Sequence, residues 1–432
     1  MSSPGGTEVR SEFQPLRSVI VHLPGREWEM VPLEPNMAEK YLVEDILYLK
    51  RAREDHQEFT SCLKHITGEG GVIEFSGLLA DILRDDATRT EIVEAVATEE
   101  KLEGAKRTRF ATKEIDASAL AELLISGSRM EYGDGGSDGP DSHERYFHPI
   151  PNILFTRDIG AAVGDSLILS HPARRVRHRE GLLARFVFQR HELFSGTKLI
   201  DILSYPTAGD TGDGVSLEGG DILALDSQTV VVGSGERSSE QGVRLLTHRL
   251  LEDHVCERVI VVAIPADRAT MHLDTVFTVI GPEDCVYYPP LFEEGPGAVP
   301  ARATTYELVS GRVSAVDTST AGLFPALARI GHDFRRRVKC GGDLPLFQAR
   351  EQWTDGANLF AVKETVAFIY ERNRETVAAF KSAGYQIVSA KRFLESDPET
   401  ITRTLVTING AELSRGRGGS RCMTLPISRS DG

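Results

Sequence analysis

The sequence predicts an α/β protein built from a repeated unit that closes around a central pocket, with an all-helical segment set into it. Three observations predict this. A pattern of charged turn, two short strands, arginine-led helix and closing strand recurs along the chain after residue 148. A stretch from about 77 to 124 is rich in Ala, Leu and charged residues and carries no strand signal. Finally, groups suited to chemistry fall at equivalent turns in different copies, so closing the repeats brings them to one axis.

Taken in order, Ser18-Val19-Ile20-Val21-His22 reads as a short apolar strand closed by Pro24-Gly25. Asn36, with Glu39 three residues on, is placed to cap a long helix, and Leu42, Ile46, Leu49, Ala52, His56, Phe59 and Leu63 recur at three or four along one helix face. Residues 77–148 read as an inserted helical unit ending in Ser126 to His148, a polar, Gly- and Asp-rich stretch such as Tyr132 to Pro140, which is expected to be a mobile surface loop. Residues 1–76 and 149–432 are left to build the repeats.

The first full copy runs from Phe155-Thr156-Arg157-Asp158 through a strand at 166–169 and a helix from Arg179-Glu180 to a strand at 198–202. The second runs from Leu217-Glu218-Gly219-Gly220-Asp221 through strands at 222–225 and 229–232 and a helix after Glu236-Arg237-Ser238-Ser239, closing at 259–264. A later copy starts at Asp355-Gly356-Ala357-Asn358, with strands at 359–362 and 366–370, a helix after Glu371-Arg372-Asn373 and a closing strand at 385–388. The spacings of turn and helix between these two copies agree to within two residues, as structural units separated by two others should.

Composition narrows the function. Against 64 acidic side chains stand 49 basic ones, and the net charge of −15 argues against nucleic acid or an anionic membrane as the main partner. No run of eighteen apolar residues occurs, and the first residues lack the basic and apolar regions of a signal peptide, so a cytoplasmic enzyme is expected. Cys62, Cys256, Cys285, Cys340 and Cys422 are odd in number and form no CxxC pair, which suggests neither a disulfide framework nor a zinc cage.

The most concentrated chemistry is Ser414-Arg415-Gly416-Arg417-Gly418-Gly419-Ser420-Arg421-Cys422-Met423. Cations lower a thiol's pKa, so Arg415, Arg417 and Arg421 are expected to activate Cys422, while Gly416, Gly418 and Gly419 allow positive φ and let a substrate come close to the main chain. The plainer alternative is a disordered basic tail. Thr404 to Asn409, a β-branched run that reads as a buried strand leading into the loop, argues against it.

A cysteine nucleophile needs a base and a group to orient it. His272 and Asp274, two apart, share a side of an extended turn, and Glu218 is the best orienter. Asp158 with Asp274 would put two carboxylates in one pocket, which makes sense if the ligand is cationic; a guanidinium offers planar N–H forks to carboxylates and an electrophilic carbon to sulfur.

These stretches, with Gly235-Glu236-Arg237, Met271 to Thr275 and Arg350-Glu351-Gln352-Trp353-Thr354-Asp355-Gly356, resemble in order the motifs of arginine deiminases, members of the guanidine-modifying pentein superfamily, over nearly the whole chain. The resemblance implies a five-bladed αβ propeller with an inserted helical bundle, and hydrolysis of L-arginine to L-citrulline and ammonia with no metal and no organic cofactor. It implies Cys422 as nucleophile, His272 as acid and base, Glu218 as its partner, and Asp158 and Asp274 as the grip on the guanidinium. Asn152, Phe155, Arg237 and Arg417 would hold the amino-acid end or wall the pocket. Arg179 would join them, although Arg174 to Glu180 carries extra residues and Arg177 or Arg175 could take its place. Ile159 stands where the family commonly has proline, and Arg421 where some members have histidine. Related hydrolases or amidinotransferases of the same fold, or a non-catalytic arginine-binding protein, are the alternatives; the last would lack Cys422, His272 or an acid, and all are present. L-Arginine is the expected partner, and a homo-oligomer is compatible with the sequence.

Overall fold

Each main sheet starts as an antiparallel strand pair and gains a third strand parallel to one of them. This computed structural model describes residues 6–104, 107, 115–130, 143–204, 214–294, 298–317 and 322–430. Among them the unit occurs in five sheets, with strands that are mostly buried and rich in β-branched residues, as parallel pairing covered by helices requires. Gly160–Val163 pairs antiparallel with Ser166–Leu169, the helix His178–Arg190 crosses over, and Lys198–Ile200 returns parallel. Ile222–Ala224, Thr229–Ser234 and Arg258–Ala263 repeat this around the helix Glu240–Glu252, which Ser239 caps by accepting from the Gly242 amide. Phe277–Gly281, Asp284–Tyr287 and Arg336–Lys339 form another unit.

The chain ends share a sheet. Leu425–Arg429 pairs antiparallel with Leu16–Val21, which pairs parallel with Val72–Glu74 across the helix Leu49–Thr67. The strand predicted at 18–22 is therefore present, and the last strand of the chain completes its unit.

Two expectations need correction. Asn36 takes φ 69° with no side-chain capping bond, and the helix after it runs only from Met37 to Tyr41; the long helix begins at Leu49. Leu42 breaks the pattern in the left-handed region, φ 58°, with its side chain buried. In the later copy the closing strand is present as Gln386–Ser389, and Thr404–Ile408, the more apolar strand, lies between it and Val366–Tyr370. The second unit also gains an unpredicted hairpin, Arg302–Val309 with Arg312–Asp317.

Between residues 75 and 126 the helices Phe75–Ile82, Asp86–Glu99 and Ala117–Ser126 carry the predicted helical character. They share one apolar core with Leu183 and Val187 of the 178–190 helix and with Leu167, Leu425 and Ile427 of the sheets. Of the loop expected over Ser126 to His148, residues 131–142 lie outside the described residues; in the remainder, Ser128–Met130 and His143–Arg145 pair as two short strands. No helix among the described residues is long and apolar enough to cross a membrane.

Phe368 is fully buried and meets Phe59 of the long helix at 5.4 Å and Phe393 at 5.6 Å, both edge-on. Phe368→Ala should cost about 3–5 kcal/mol of unfolding free energy, measured by denaturant titration. A cost under about 1 kcal/mol would mean that this junction does not hold the helix to its sheet.

Candidate active site

In each of the five sheets a turn precedes the first strand, and each turn supplies a polar group to the same place. The turns hold Asp158, Glu218, His272 with Asp274, Asn358, and Cys422. Hydrogen bonds tie four of the five neighbouring pairs of turns. Asp221 accepts from the Leu273 amide at 2.8 Å, Asn358 donates from Nδ2 to the Asp274 carbonyl at 3.1 Å, the Cys422 amide donates to Asn358 Oδ1 at 3.0 Å, and the Arg157 amide donates to the Cys422 carbonyl at 3.0 Å. The first and second turns are in direct contact: a Cβ on Gly219 would lie 2.2 Å from the Arg157 carbonyl oxygen. Asn358 thus fixes both the Cys422 loop and the Asp274 turn, a role its sequence did not reveal.

His272, buried, lies 2.9 Å through Nε2 from Glu218 Oε2, while its Nδ1 is 3.7 Å from Asp158 Oδ1. Burial disfavours the imidazolium, but Asp158, Glu218 and Asp221 outweigh it and raise His272 to about 9. Glu218 is itself fully buried, yet Arg177, Arg237 and His272 hold its carboxyl below the usual range. Gly220 is required here, because a Cβ would sit 2.7 Å from the His272 ring.

Cys422 is 3% exposed, with Sγ 3.9 Å from Asp274 Oδ2. Its thiol is not activated by the neighbouring arginines as the sequence suggested. Arg415 is outside, paired with Asp45 and Glu412, and Arg421 donates to Glu12 at 3.0 Å and to Asp274 at 2.6 Å. Burial, then Asp274, Asp158 and Asp355, push the thiol up. Nor do Gly416, Gly418 and Gly419 take positive φ. Arg417 does, at 62°, and glycine at 418 serves close packing, since a Cβ there would lie 2.3 Å from the Phe155 ring.

A model of the arginine deiminase family matches residues 39–429. The chain belongs to the arginine deiminase family. Among similar proteins, an arginine deiminase of Limosilactobacillus reuteri is 29% identical over 453 residues, covering 100% of this chain and 99% of its own. One of Streptococcus equi subsp. zooepidemicus is 29% identical over 437 residues, with 98% of each chain covered. Among solved structures, an amidinotransferase from Microseira wollei shares the fold with a TM-score of 0.51 at 13% identity, covering 99% of this chain and 98% of that one. This likeness shows a mixed α/β fold.

Against this family's pattern one expected site residue is misplaced. Arg179 points into the helical region, donating to the carbonyls of Leu124 and His148 and to Glu100, with its guanidinium 4.1 Å from the centre of the Phe147 ring. Arg177 takes the inner place. It reaches Glu180 at 2.7 Å, Asp158 at 2.8 Å, Glu218 at 3.0 Å and the Asn152 carbonyl at 3.3 Å. A 3-10 turn, Arg175–Arg177, precedes the helix and sends the two arginines to opposite sides, which residue spacing alone does not show. Arg175 lies at the surface beside His178 and Leu182.

The other expected residues converge. Asn152, Phe155, Arg237 and Arg417 line one pocket with Cys422 and His272, joined by Leu42, Arg268 and Met271, and the space left is about 10 Å3, roughly that of one water. Asn152 is anchored through Nδ2 to the Tyr41 carbonyl at 2.9 Å. Arg237 lies 3.5 Å from Glu218, and Arg417 lies over the Trp353 ring at 3.5 Å, donating to the Arg268 and Ala269 carbonyls.

Several buried polar atoms here have no hydrogen-bond partner among the described residues: Asp158 Oδ1, Asp274 Oδ1, His272 Nδ1, Arg237 Nε, and Arg417 Nε and Nη1. Buried orphans are rare enough to mark a site. Asp158, Glu218 and His272 also bring ligand atoms within 4.8 Å of one another, close enough for a metal ion. The Arg177 guanidinium already stands between the two carboxylates, so that cluster has its cation.

Arg177→Lys keeps the charge but cannot span four acceptors; displacement of Asp158 and Glu218 should lower kcat/KM about 100-fold. Arg179→Leu should lower the melting temperature while leaving kcat/KM of the folded enzyme within about threefold, since Arg179 touches no pocket residue. Steady-state kinetics beside thermal melts check the pair, and equal losses of kcat/KM would contradict this assignment.

Proposed function

We propose that the protein hydrolyses L-arginine to L-citrulline and ammonia through a covalent amidino-cysteine. The observation that carries the reading is the set of orphaned atoms. One oxygen of Asp158 and one of Asp274 lack donors, the other Asp274 oxygen lying 3.9 Å from the Cys422 sulfur, while two guanidinium nitrogens of Arg417 lack acceptors and Arg237 Nε makes no hydrogen bond although Glu236 is 3.3 Å away. Arginine is complementary to both ends: its guanidinium supplies donors to the carboxylates and its α-carboxylate accepts from the arginines. Membership of the arginine deiminase family supports the same substrate.

Cys422 is the nucleophile in this reading. At rest its thiol is pushed up by burial and by Asp274, Asp158 and Asp355. A bound guanidinium offsets that negative field, so the thiolate forms when substrate is present. Sulfur then attacks the guanidinium carbon, His272 gives its proton to the departing nitrogen, and ammonia leaves. Neutral His272 next takes a proton from water, which attacks the amidino carbon; the C–S bond breaks and citrulline is released. Glu218 orients the imidazole through the 2.9 Å contact and keeps it charged for the first step. Arg177 fixes Asp158 and Glu218, while Asn152 and Phe155 wall the pocket. The small remaining volume means that the loop carrying Arg417 has to yield before an amino acid fits.

The five sheets are read as the blades of a five-bladed αβ propeller, supported by the hydrogen bonds from turn to turn. Residues 77–148 are read as its insertion. The net charge of −15 supports a cytoplasmic setting without nucleic acid or membrane as partner.

Arginine should yield equimolar citrulline and ammonia, and intact-mass spectrometry on enzyme quenched in turnover should place an adduct on Cys422. An adduct on Cys256 or Cys285 would sink the assignment, and Cys422→Ser should be inactive.

The pH profile tests His272. Its folded value of about 9 lies above the ordinary 6.5, so its charge stabilises the fold fully below about 6.5, and that contribution is lost as pH rises through about 9. The kcat/KM of the free enzyme should fall along the same limb, and Glu218→Gln, which removes one charge holding the proton, should move the limb to lower pH. A limb that stays in place would remove Glu218 from this role.

A further inference from the structure

Outside the catalytic pocket, two adjoining cavities of about 850 and 720 Å3 share Arg372 and Arg374 in their walls. Both are within the range of small-molecule sites, roughly 300–1,000 Å3. In a chain carrying −15, four arginines gather here: Arg372, Arg374 and Arg415 around the first cavity, Arg350 beside the second. Arg415 pairs with Asp45, and Arg372 donates to the Ser414 hydroxyl. Neither Arg350 nor Arg374 has an ion pair among the described residues. Of the acids nearby, Glu351 is engaged, accepting from the Glu375 and Thr376 amides at 2.7 Å and the Thr376 hydroxyl at 2.6 Å; Glu371 and Glu375 remain at the surface. Four carboxylates, Asp45, Glu351, Glu371 and Glu375, match the four arginines in number, so the groups available to an anion are the arginines without an ion pair, Arg350 and Arg374, whose forks bind oxyanions bidentately.

The second cavity adds an apolar shelf. Leu346, Arg350 and Trp353 fall at i, i+4 and i+7 of the helix Pro345–Trp353, hence on one face. Leu346 is 67% and Trp353 44% exposed, unusual for such side chains side by side. A flat ring stacking on an exposed indole beside a guanidinium gains both stacking and cation–π energy.

We propose that this groove binds a nucleoside phosphate, its phosphoryl oxygens on Arg350, Arg372 and Arg374 and its base on Trp353 and Leu346, and that binding changes the enzyme's affinity for arginine. The route to the catalytic pocket is short. Arg417 stacks on Trp353 at 3.5 Å, and its amide donates to the carbonyl of Ser414, whose hydroxyl Arg372 holds. A phosphoryl group that draws Arg372 away from Ser414, or a base that presses on Trp353, therefore acts on the loop that has to yield for substrate. The binding claim stands by itself, whereas the effect on arginine rests on the function proposed above.

The test uses the full-length enzyme with ADP, adenosine and inorganic pyrophosphate as probes. Trp353 is the exposed one of two tryptophans, Trp28 being buried, so binding should quench intrinsic fluorescence as well as appear in calorimetry. ADP should bind at least roughly tenfold more tightly than adenosine or pyrophosphate, and the double variant Arg350→Glu/Arg374→Glu should lose roughly tenfold or more of that affinity. Saturating ADP should shift the KM for arginine in the wild type and not in the double variant, whose KM without ADP stays at the wild-type value. No ADP binding at millimolar concentration, pyrophosphate binding as tightly as ADP, or full affinity in the double variant would overturn the site. ADP binding without a KM shift would overturn the regulation. Failure to turn over arginine with ADP binding intact would instead count against the function proposed above.

Discussion

The constraint on which the rest depends is the crowding of negative charge in a dry pocket. Asp158, Glu218 and Asp274 are each at most 4% exposed and lie around one thiol. Such carboxylates cannot all stay ionised unless cations are brought to them, and burial makes unpaired charges costly. The chain answers with Arg177 between Asp158 and Glu218, Arg421 on Asp274, and a charged His272. Those partners leave one oxygen of Asp158 and one of Asp274 without a donor. Charge is thus balanced well enough for folding and left unfinished where a cationic substrate would complete it.

Placing these groups demands backbone precision that loops rarely give, and here the turns supply it. Asp158, Glu218, His272, Asp274, Asn358 and Cys422 sit in turns before the first strand of a buried sheet, so the sheets hold the turns, and the hydrogen bonds among Asp221, Asn358, Cys422 and Arg157 help hold the turns to one another. Glycine enters where main chain has to pass close, at Gly220 under the His272 ring and Gly418 against Phe155. Catalytic groups on rigid elements hold their geometry better than groups on free loops.

Much of this was legible in the sequence because it was local. Strand runs such as 166–169, 366–370 and 404–408 match to the residue, since apolar β-branched runs bounded by turns have few other folded uses. Cys422, His272, Glu218, Asp158 and Asp274 stand out in the sequence, Cys422 and Glu218 by the glycines near them and His272 by its spacing of two from Asp274, and the turns bring them together. What was not legible depends on the third dimension. Arg177 and Arg179 differ by two residues, and only the 3-10 turn at Arg175–Arg177 decides which faces inward. Leu42 was assigned to a helix face because its spacing fits one, while the pocket takes it out of the helix. The activating role given to the arginines near Cys422 failed for the same reason: proximity in sequence says nothing about which acid an arginine will meet.

Arg421 shows how far that reaches. Its guanidinium bridges Asp274 and Glu12, residues more than two hundred and sixty positions apart, and its backbone carbonyl accepts from Arg157 at 3.5 Å. Burial opposes the Glu12 charge, yet Arg421 and Arg157 hold that carboxyl down at about 2. An arginine is charged at every working pH, so Asp274 has a permanent counter-ion, where a histidine in the same place would lend its charge only when protonated. One oxygen of Asp274 is then committed to the fold and the other is free for substrate. Glu12 precedes the first strand, in a segment with no catalytic motif, and still bears on the charge at the nucleophile, because the Arg421 side chain cannot face Asp274 alone without leaving its remaining N–H groups unpaired in the core. The electrostatics of this site are therefore shared between the end of the chain that carries the thiol and the end that carries only a carboxylate.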